Sequence, residues 1–123
     1  MKYIIADPDT ESGAGLLRLL DEDCTLVFDG SYTTLKAAEA KIRDDPPDIA
    51  FIRLGKAELN ALRLAGFLRE QKPDSKIIFF GSQKEDAVEA FEFGADWFLQ
   101  LPFSKGKIGQ SLQQSTKKEE IKN

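Results

Sequence analysis

The stretch DAVEAFEFGADWFLQLPF, residues 86–103, decides the fold that we predict for this chain. Its first half carries Ala87, Ala90 and Phe91 at helical spacing, and its second half holds the apolar run of residues 97–99. Apolar residues three or four positions apart indicate an amphipathic helix, whereas a short apolar run rich in aromatic residues indicates a buried strand. The stretch therefore predicts a helix that leads into a strand.

The same alternation extends over the rest of the chain. Short apolar runs rich in β-branched and aromatic residues indicate four further strands, at residues 3–6, 24–28, 49–52 and 77–80. Apolar residues recur at helical spacing in four further segments: Leu16, Leu19 and Leu20; Leu35, Ala38 and Ile42; Leu59, Leu62 and Ala65; Ile108 and Leu112. Strands that are apolar on both faces are typical of a parallel sheet covered by helices on both sides. Five βα units therefore predict an α/β doubly wound domain.

Capping residues and prolines predict where the helices begin and end. Short polar side chains can accept hydrogen bonds from the first free N–H groups of a helix, and the candidates are Asp9 or Thr10 for the first helix, Ser31 for the second and Ser104 for the fifth. Proline cannot continue a helix, so Pro46-Pro47 and Pro73 are expected to stop the second and third helices. We expect one domain over residues 1–115, followed at residues 116–123 by a frayed polar tail or the start of a linker.

Composition excludes several classes of protein. With 123 residues, 41% hydrophobic and 31% charged, the chain has the size and composition of one globular domain. Its longest apolar run, residues 77–80, is too short to span a membrane, and no signal-peptide core follows Met1, so we expect a soluble cytoplasmic protein. The single Cys24 cannot form an internal disulfide, and the chain has no histidine to bind a metal or activate a nucleophile. We therefore expect no metal and no cofactor.

The charge is unevenly distributed along the chain. The net charge is −4, yet residues 53–76 hold six basic and three acidic residues. A docking surface fits this excess, but a net charge of +3 spread over a helix-sized segment is more typical of a solvated face. We therefore expect no direct contact with nucleic acid.

Candidate chemistry lies in the loops after the strands, because ligands of open parallel sheets bind at the carboxyl ends of the strands. These loops are residues 7–9, 29–31, 53–56, 81–83 and 101–103. Only the first offers paired carboxylates, Asp7 and Asp9, which can hold a hard cation such as Mg²⁺ or simply begin a helix. The Gly-Ala-Gly of residues 13–15 is a weak match to a dinucleotide loop, and the chain has no phosphate-gripping P-loop.

Several strings together resemble the receiver domain of two-component response regulators, over about residues 1–115. They are IIADPD (4–9), PPDIAFI (46–52), KIIFFGS (76–82) and the opening stretch, residues 86–103. The last is the most specific, because GAD, an aromatic residue and then a Pro-Phe pair at this spacing are a receiver hallmark. The resemblance implies a flavodoxin-like (βα)5 three-layer sandwich with a parallel sheet of order 2-1-3-4-5.

The resemblance also implies a phosphorylation pocket, but most of its positions have changed. The two Mg²⁺-binding acidic positions correspond to Asp7 and Pro8, with Asp9 one residue further on, and the phosphoacceptor aspartate corresponds to Arg53. The hydroxyl position falls on Gly81, with Ser82 beside it, and the lysine position falls on Leu101. Because an arginine cannot attack phosphorus, we expect a phosphorylation-independent pseudo-receiver without enzymatic activity.

Arg53 itself allows two expectations. Its permanently charged guanidinium can take the place of the metal ion and pair with Asp7 or Asp9, or it can point to solvent. Two other functions stay open: a phosphoacceptor that uses Asp7, Asp9 or Ser82 in a phosphorelay, and a flavodoxin-like small-ligand binder.

A binding face is also implied by the resemblance, on the surface formed by the fourth helix, fifth strand and fifth helix. It would carry Ala87, Phe91, Trp97 and Phe98, which we expect to contact a protein partner or form a weak homodimer. The alternative is that Phe91 and Phe98 turn inward and fill the space left by Gly81. An output domain after Asn123, for example a DNA-binding one, would make this the regulatory part of a transcriptional regulator.

Overall fold

The computed structural model describes residues 1–103, 106, 108 and 109. Within residues 1–103, five strands alternate with four helices, and their bounds are β1 (Lys2–Ala6), α1 (Thr10–Leu20), β2 (Val27–Tyr32), α2 (Leu35–Asp44), β3 (Ile49–Arg53), α3 (Ala61–Gln71), β4 (Lys76–Gly81), α4 (Lys84–Phe93) and β5 (Trp97–Gln100). All neighbouring strands are parallel, and the sheet has the order β2-β1-β3-β4-β5. The predicted doubly wound fold and strand order are confirmed.

The core forms two layers, one on each face of the sheet. Successive residues of a strand point to opposite faces, so Ile4 and Ala6 join the layer beneath α2, α3 and α4. Tyr3 and Ile5 join the layer beneath α1. Both layers are fully buried at the centre of the sheet, which explains why β1, β3 and β4 read as continuous apolar runs.

The predicted fifth helix lies largely outside the described residues. Gly106, Ile108 and Gly109 are helical, and Ile108 is buried in the layer beneath α1. Ser104, Leu112, the boundary after residue 115 and the tail of residues 116–123 lie outside the described residues. Within the described part of the chain, no helix is long and apolar enough to cross a membrane.

Most of the predicted helix boundaries are confirmed. The Asp9 carboxylate caps α1 by accepting a hydrogen bond from the Glu11 N–H at 3.0 Å. The second and third helices end shortly before the predicted prolines, α2 at Asp44 and α3 at Gln71. Ser31 was the wrong cap for α2, because it lies inside β2, and Thr34 accepts the capping hydrogen bond from the Ala37 N–H instead.

The second strand begins later than predicted. Residues 24–26 form a turn in which Asp23 accepts hydrogen bonds from the backbone N–H and hydroxyl of Thr25, and the strand starts at Val27. Residues 29–31 are therefore part of β2 rather than a loop after it. Its pairing with β1 is irregular around Gly30, whose φ of +138° favours glycine, and the Asp29 carboxylate turns to the Lys41 ammonium at 2.8 Å.

Candidate functional site

Two charged side chains are buried at the carboxyl ends of the central strands. Arg53 is the last residue of β3, which lies between β1 and β4, and Asp7 directly follows β1. Arg53 is only 5% exposed and Asp7 only 3% exposed. Charged residues are almost never this buried unless they are paired, so the contacts between these two define the site.

Arg53 pairs with Asp7 through one end of its guanidinium group. Its Nη1 lies 3.5 Å from Asp7 Oδ2 and donates a hydrogen bond of 2.9 Å to the Ser12 hydroxyl. The Ser12 hydroxyl in turn donates to the same Asp7 oxygen. The predicted pairing of Arg53 with an aspartate is therefore confirmed for Asp7, and the alternative that Arg53 points to solvent is wrong.

The rest of the Arg53 side chain is held by the residue that follows β3 and by β4. Its Nε donates to the carbonyl oxygen of Leu54 at 3.3 Å, and its guanidinium carbon lies 5.9 Å from the centre of the Phe80 ring. A guanidinium within about 6 Å of an aromatic ring is attracted by the negative face of that ring. Arg53 is thus fixed from several sides.

Asp9 does not join this pair as a salt-bridge partner. Its carboxylate faces the start of α1 and accepts a hydrogen bond from the Glu11 backbone N–H. This hydrogen bond is the main reason why the pKa of Asp9 is lowered, and the charge of Arg53 makes a smaller contribution. Its own backbone N–H donates to Asp7 Oδ1 at 2.9 Å. Both oxygens of Asp7 therefore already accept hydrogen bonds, one from Asp9 and the other from Ser12.

A second buried carboxylate, which the sequence analysis did not identify, covers the end of β4. Asp86 in the first turn of α4 is 6% exposed and accepts a hydrogen bond from the Gln83 N–H at 3.1 Å. A Cβ atom placed on Gly81 would lie 3.0 Å from Asp86 Cγ and closer still to its Oδ2. The spacing of Gln83 and Asp86, typical of a capping box, is the sequence signal that could have identified this residue.

The alternative that Phe91 and Phe98 turn inward and fill the space left by Gly81 is correct only for the inward turn of Phe98, because Asp86 takes that space. Phe91 is 55% exposed, and half-buried Phe98 packs against the core layer beneath α2, α3 and α4. The space above Gly81 is taken by the Asp86 carboxylate because α4 begins directly after β4.

The remaining candidate residues lie around the edge of the site. Ser82 is exposed, and its hydroxyl accepts a long hydrogen bond of 3.4 Å from the Gln83 side chain. Leu101 is half-buried, and its backbone N–H donates to the Gly81 carbonyl oxygen at 2.8 Å. Pro8 is half-buried between Asp7 and Asp9.

The residues present do not fit a Mg²⁺ ion. A divalent cation needs several free oxygen ligands, but the Asp7 carboxylate already accepts hydrogen bonds and lies beside the permanently positive Arg53. Among the described residues, no group of three or more acidic, cysteine or histidine side chains is arranged to hold a metal ion.

A partly exposed apolar surface lies on α4, away from the Asp86 carboxylate. Val88 and Phe91 are 59% and 55% exposed, and the Phe91 ring meets the half-buried Trp97 ring edge-on with centroids 6.4 Å apart. We call Ala87, Val88, Phe91 and Trp97 the α4 face; Val88 is an addition to the residues expected from the sequence. Phe98 does not belong to it, because Phe98 points to the opposite side of β5 and packs on the core.

Comparison with known proteins finds similarity to sensory transduction proteins and to receiver domains. No protein-family model matches it. Over 120 residues it is 23% identical to the sensory transduction protein LytT of Bacillus anthracis, and over 117 residues it is 24% identical to LytT of Bacillus subtilis. These matches cover 98% and 95% of this chain, which spans about half the length of the curated relatives it matches, 49% and 48%.

Solved structures of receiver domains share the whole fold. The response regulatory domain of mrkE from Klebsiella pneumoniae superimposes with a TM-score of 0.83 at 25% identity, covering 98% of this chain and 99% of that one. The non-phosphorylated HemR receiver domain from Leptospira biflexa gives 0.74 at 22% identity, covering 93% and 92%. By its strand order and these similarities, the chain has the fold of a response-regulator receiver domain.

Proposed function

We propose that this domain is a phosphorylation-independent pseudo-receiver, a non-enzymatic module that binds a protein partner within a two-component-type signalling or transcriptional regulator in the cytoplasm. The observation that carries the proposal is the buried Arg53 at the end of β3, tied to Asp7 and Ser12. By its resemblance to receivers, this is the position of the phosphoacceptor aspartate.

The chemistry of phosphotransfer explains why this substitution matters. Transfer to an aspartate requires a carboxylate nucleophile and a divalent cation that neutralises the charge developing on the phosphoryl oxygens. Arg53 supplies no nucleophile, and its guanidinium lies beside the carboxylate that would otherwise hold the cation. The pair is electrically balanced without any ligand, so the site has no need of a metal ion to be stable.

The other changed positions support the same proposal. A lysine and a hydroxyl would contact the phosphoryl group in a working receiver, and here Leu101 and Gly81 supply neither group. The volume next to Gly81 is occupied by the Asp86 carboxylate, whose negative charge repels a phosphoryl group. The neighbouring Ser82 is exposed and lies at the edge of the site.

Intact-mass spectrometry after incubation with acetyl phosphate and Mg²⁺ tests this proposal. We expect the wild type to gain no phosphoryl group, while a receiver domain with an aspartate at the phosphoacceptor position, treated alongside, gains one. Addition of a phosphoryl group to the wild type would contradict the proposal. The variants Asp9→Asn and Ser82→Ala would then show which side chain carries the group.

Titration with Mg²⁺ gives a second, independent test. Trp97 is the only tryptophan of the chain, so its fluorescence reports on this domain alone. We expect no saturable change up to millimolar Mg²⁺, because Arg53 already neutralises Asp7. A saturable change would contradict this part of the proposal, and its loss in Asp7→Asn would assign the metal to the site.

The α4 face is the surface that we propose for partner binding. Exposed Val88 and Phe91 form an apolar surface on one helix, with Trp97 alongside. Large aromatic residues are frequent anchors of protein interfaces, where they are enriched among the residues that dominate binding energy. The similarity to LytT proteins, which the chain matches over about half their length, supports a role beside a further domain in a signalling protein.

A further inference from the structure

Three segments meet at the Asp86 carboxylate. Asp86 lies in the first turn of α4, and its side chain rests on Gly81 at the end of β4. A Cβ atom on Gly55, in the loop after β3, would lie 3.2 Å from both carboxylate oxygens of Asp86. One buried acidic side chain therefore lies close to the end of β4, to the loop after β3 and to the start of the helix that carries the α4 face.

Gly81 and Gly55 make room for this carboxylate in different ways. The φ of Gly55 is +82°, so the turn itself favours glycine there. Gly81 is not among the glycines with positive φ, and its backbone accepts any ordinary residue. The nearest obstacle to a side chain at Gly81 is Asp86, because the three described atoms closest to an added Cβ all belong to that residue.

We propose that Asp86 is a positioning residue that fixes α4 against the end of β4, so that an internal carboxylate rather than a phosphoryl group sets the conformation of the α4 face. The inference rests on the proposed role of the α4 face in partner binding. Asp86 holds the Gln83 N–H at one end of the helix, and Phe91 touches Trp97 near the other. A shift of the first turn is thereby transmitted along a single rigid helix to the exposed aromatic pair.

A double-mutant cycle between Gly81 and Asp86 tests this proposal. Gly81→Ala pushes a methyl group into Asp86, Asp86→Ala removes the carboxylate, and the double variant Gly81→Ala/Asp86→Ala removes the collision. Gly66→Ala is the matched control, since an added Cβ there meets nothing within 4 Å. Two measurements report on α4: Trp97 emission and the hydrogen exchange of the backbone amides of α4, compared with those of α2.

The positioning role predicts a local and non-additive response. We expect Gly81→Ala to shift Trp97 emission and to accelerate exchange in α4 by about tenfold, while exchange in α2 stays unchanged. The double variant should behave like Asp86→Ala alone, because the added methyl group no longer meets the carboxylate. Gly66→Ala should leave Trp97 emission unchanged and should not accelerate exchange in α4.

Three results would overturn the proposal. They are a Gly81→Ala protein with wild-type emission and exchange, additive effects in the double variant, and a uniform acceleration of exchange in α2 and α4, which indicates a merely structural role. If Gly81→Ala does not fold, the double variant decides: a folded double variant supports the collision with Asp86, and an unfolded one beside a folded Asp86→Ala contradicts it.

The double-mutant cycle and the phosphorylation assay test the two proposals independently, so one proposal can be contradicted while the other stands. Phosphoryl addition to the wild type contradicts phosphorylation independence and leaves the outcome of the cycle unaffected. An additive cycle contradicts the role of Asp86 while the wild type still gains no phosphoryl group.

Discussion

At the scale of single residues, the contact with Asp7 offsets the unfavourable desolvation free energy of the buried Arg53 guanidinium. The side chains of both residues are almost fully buried, at 6% and 1% exposure, so water screens their interaction very little. Removal of one partner from a buried pair leaves an uncompensated charge, which costs more than the pair itself contributes. The two residues are therefore expected to depend on each other far more strongly than a surface ion pair.

We predict that Arg53→Met lowers the free energy of unfolding by about 3 kcal/mol, because it leaves the Asp7 carboxylate without its cation. The double variant Arg53→Met/Asp7→Asn should recover part of this loss, since no buried charge remains. Urea unfolding followed by Trp97 fluorescence measures both changes. A loss below about 1 kcal/mol in the single variant, the value of an exposed pair, would contradict the prediction.

Asp48 provides a residue-scale prediction about pH. The Lys72 ammonium, 2.6 Å from Asp48 Oδ1, is the main cause of a lowered Asp48 pKa, and the Lys2 backbone N–H contributes further. Since the folded state holds the pKa below its ordinary value of about 3.9, this stabilisation is present above that pH and is lost as the pH falls through the lowered pKa. The effect is modest, because the Asp48 side chain is 36% exposed.

We therefore expect Asp48→Asn to be less stable than the wild type at pH 6 and to approach it as the pH is lowered towards 3. Urea unfolding at a series of pH values gives the difference directly. Asp44→Asn, at an exposed aspartate at the end of α2, is the control for loss of one acidic group. A constant difference between Asp48→Asn and the wild type across this range would contradict the assignment.

At the scale of elements, two helical glycines differ in what their positions require. Gly66 lies inside α3 with no atom within 4 Å of an added Cβ, whereas Gly94 ends α4 with a φ of +90°. Alanine stabilises a helix interior relative to glycine but is strained in the left-handed conformation that ends a helix. The same substitution should thus have opposite effects at the two sites.

We predict that Gly66→Ala raises the free energy of unfolding by about 0.5 to 1 kcal/mol. Gly94→Ala should lower it by about 1 kcal/mol, because its backbone must adopt a positive φ. Thermal and urea denaturation of the two variants beside the wild type measure both changes. Equal signs at the two positions would show that backbone conformation does not decide the outcome.

The position of a strand was predictable where its residues form a continuous apolar run. The bounds of β2 were not predictable in this way. Its apolar residues 24–28 read as a strand, but Asp23 and Thr25 form a turn among them, and the paired segment runs on through polar residues to Tyr32. Pairing with β1, which is a tertiary interaction, decides the strand bounds here over local composition. The sheet order needed the resemblance to receivers as well as the pattern.

The candidate site was predictable where charge alone determines the contact. A buried arginine beside Asp7 at adjacent strand ends must find a carboxylate, and it does. Asp86 was missed because an acidic residue in the first turn of a helix is ordinary, being favoured there by the helix dipole. Its spacing from Gln83 is the one sequence signal for a capping role, and its burial against Gly55 and Gly81 is seen only in three dimensions.

At the scale of the whole molecule, the exposed apolar residues bear on association. Among the described residues, the large exposed apolar side chains are Met1, Val27, Phe28, Val88 and Phe91. Val88 and Phe91 belong to the α4 face, whereas Val27 lies on β2 at the opposite edge of the sheet. Because the two locations are distinct, substitutions at each can distinguish a specific interface on α4 from non-specific association of exposed apolar residues.

We predict weak self-association of the wild type through the α4 face at high micromolar concentration, independent of any phosphodonor. Phe91→Ala or Trp97→Ala should weaken it by about 2 kcal/mol, because each truncates an aromatic anchor, whereas Val27→Ala should leave it unchanged. Sedimentation velocity over a concentration series measures the effect. A wild type that stays monomeric, or α4-face variants that associate equally well, would contradict self-association through this face.

Under the proposed pseudo-receiver function, the two buried carboxylates also determine how easily phosphotransfer could be regained during evolution. Arg53→Asp alone would place a new negative charge beside buried Asp7 and remove the only cation contacting it among the described residues. Gly81→Ser alone would drive its Cβ into Asp86. Each single step back towards a phosphoacceptor site lowers stability before any activity is regained, so a lineage that has reached this arrangement returns only through coordinated replacements. The proposed function is thus stabilised by epistasis between the residues at the strand ends and the carboxylates that contact them.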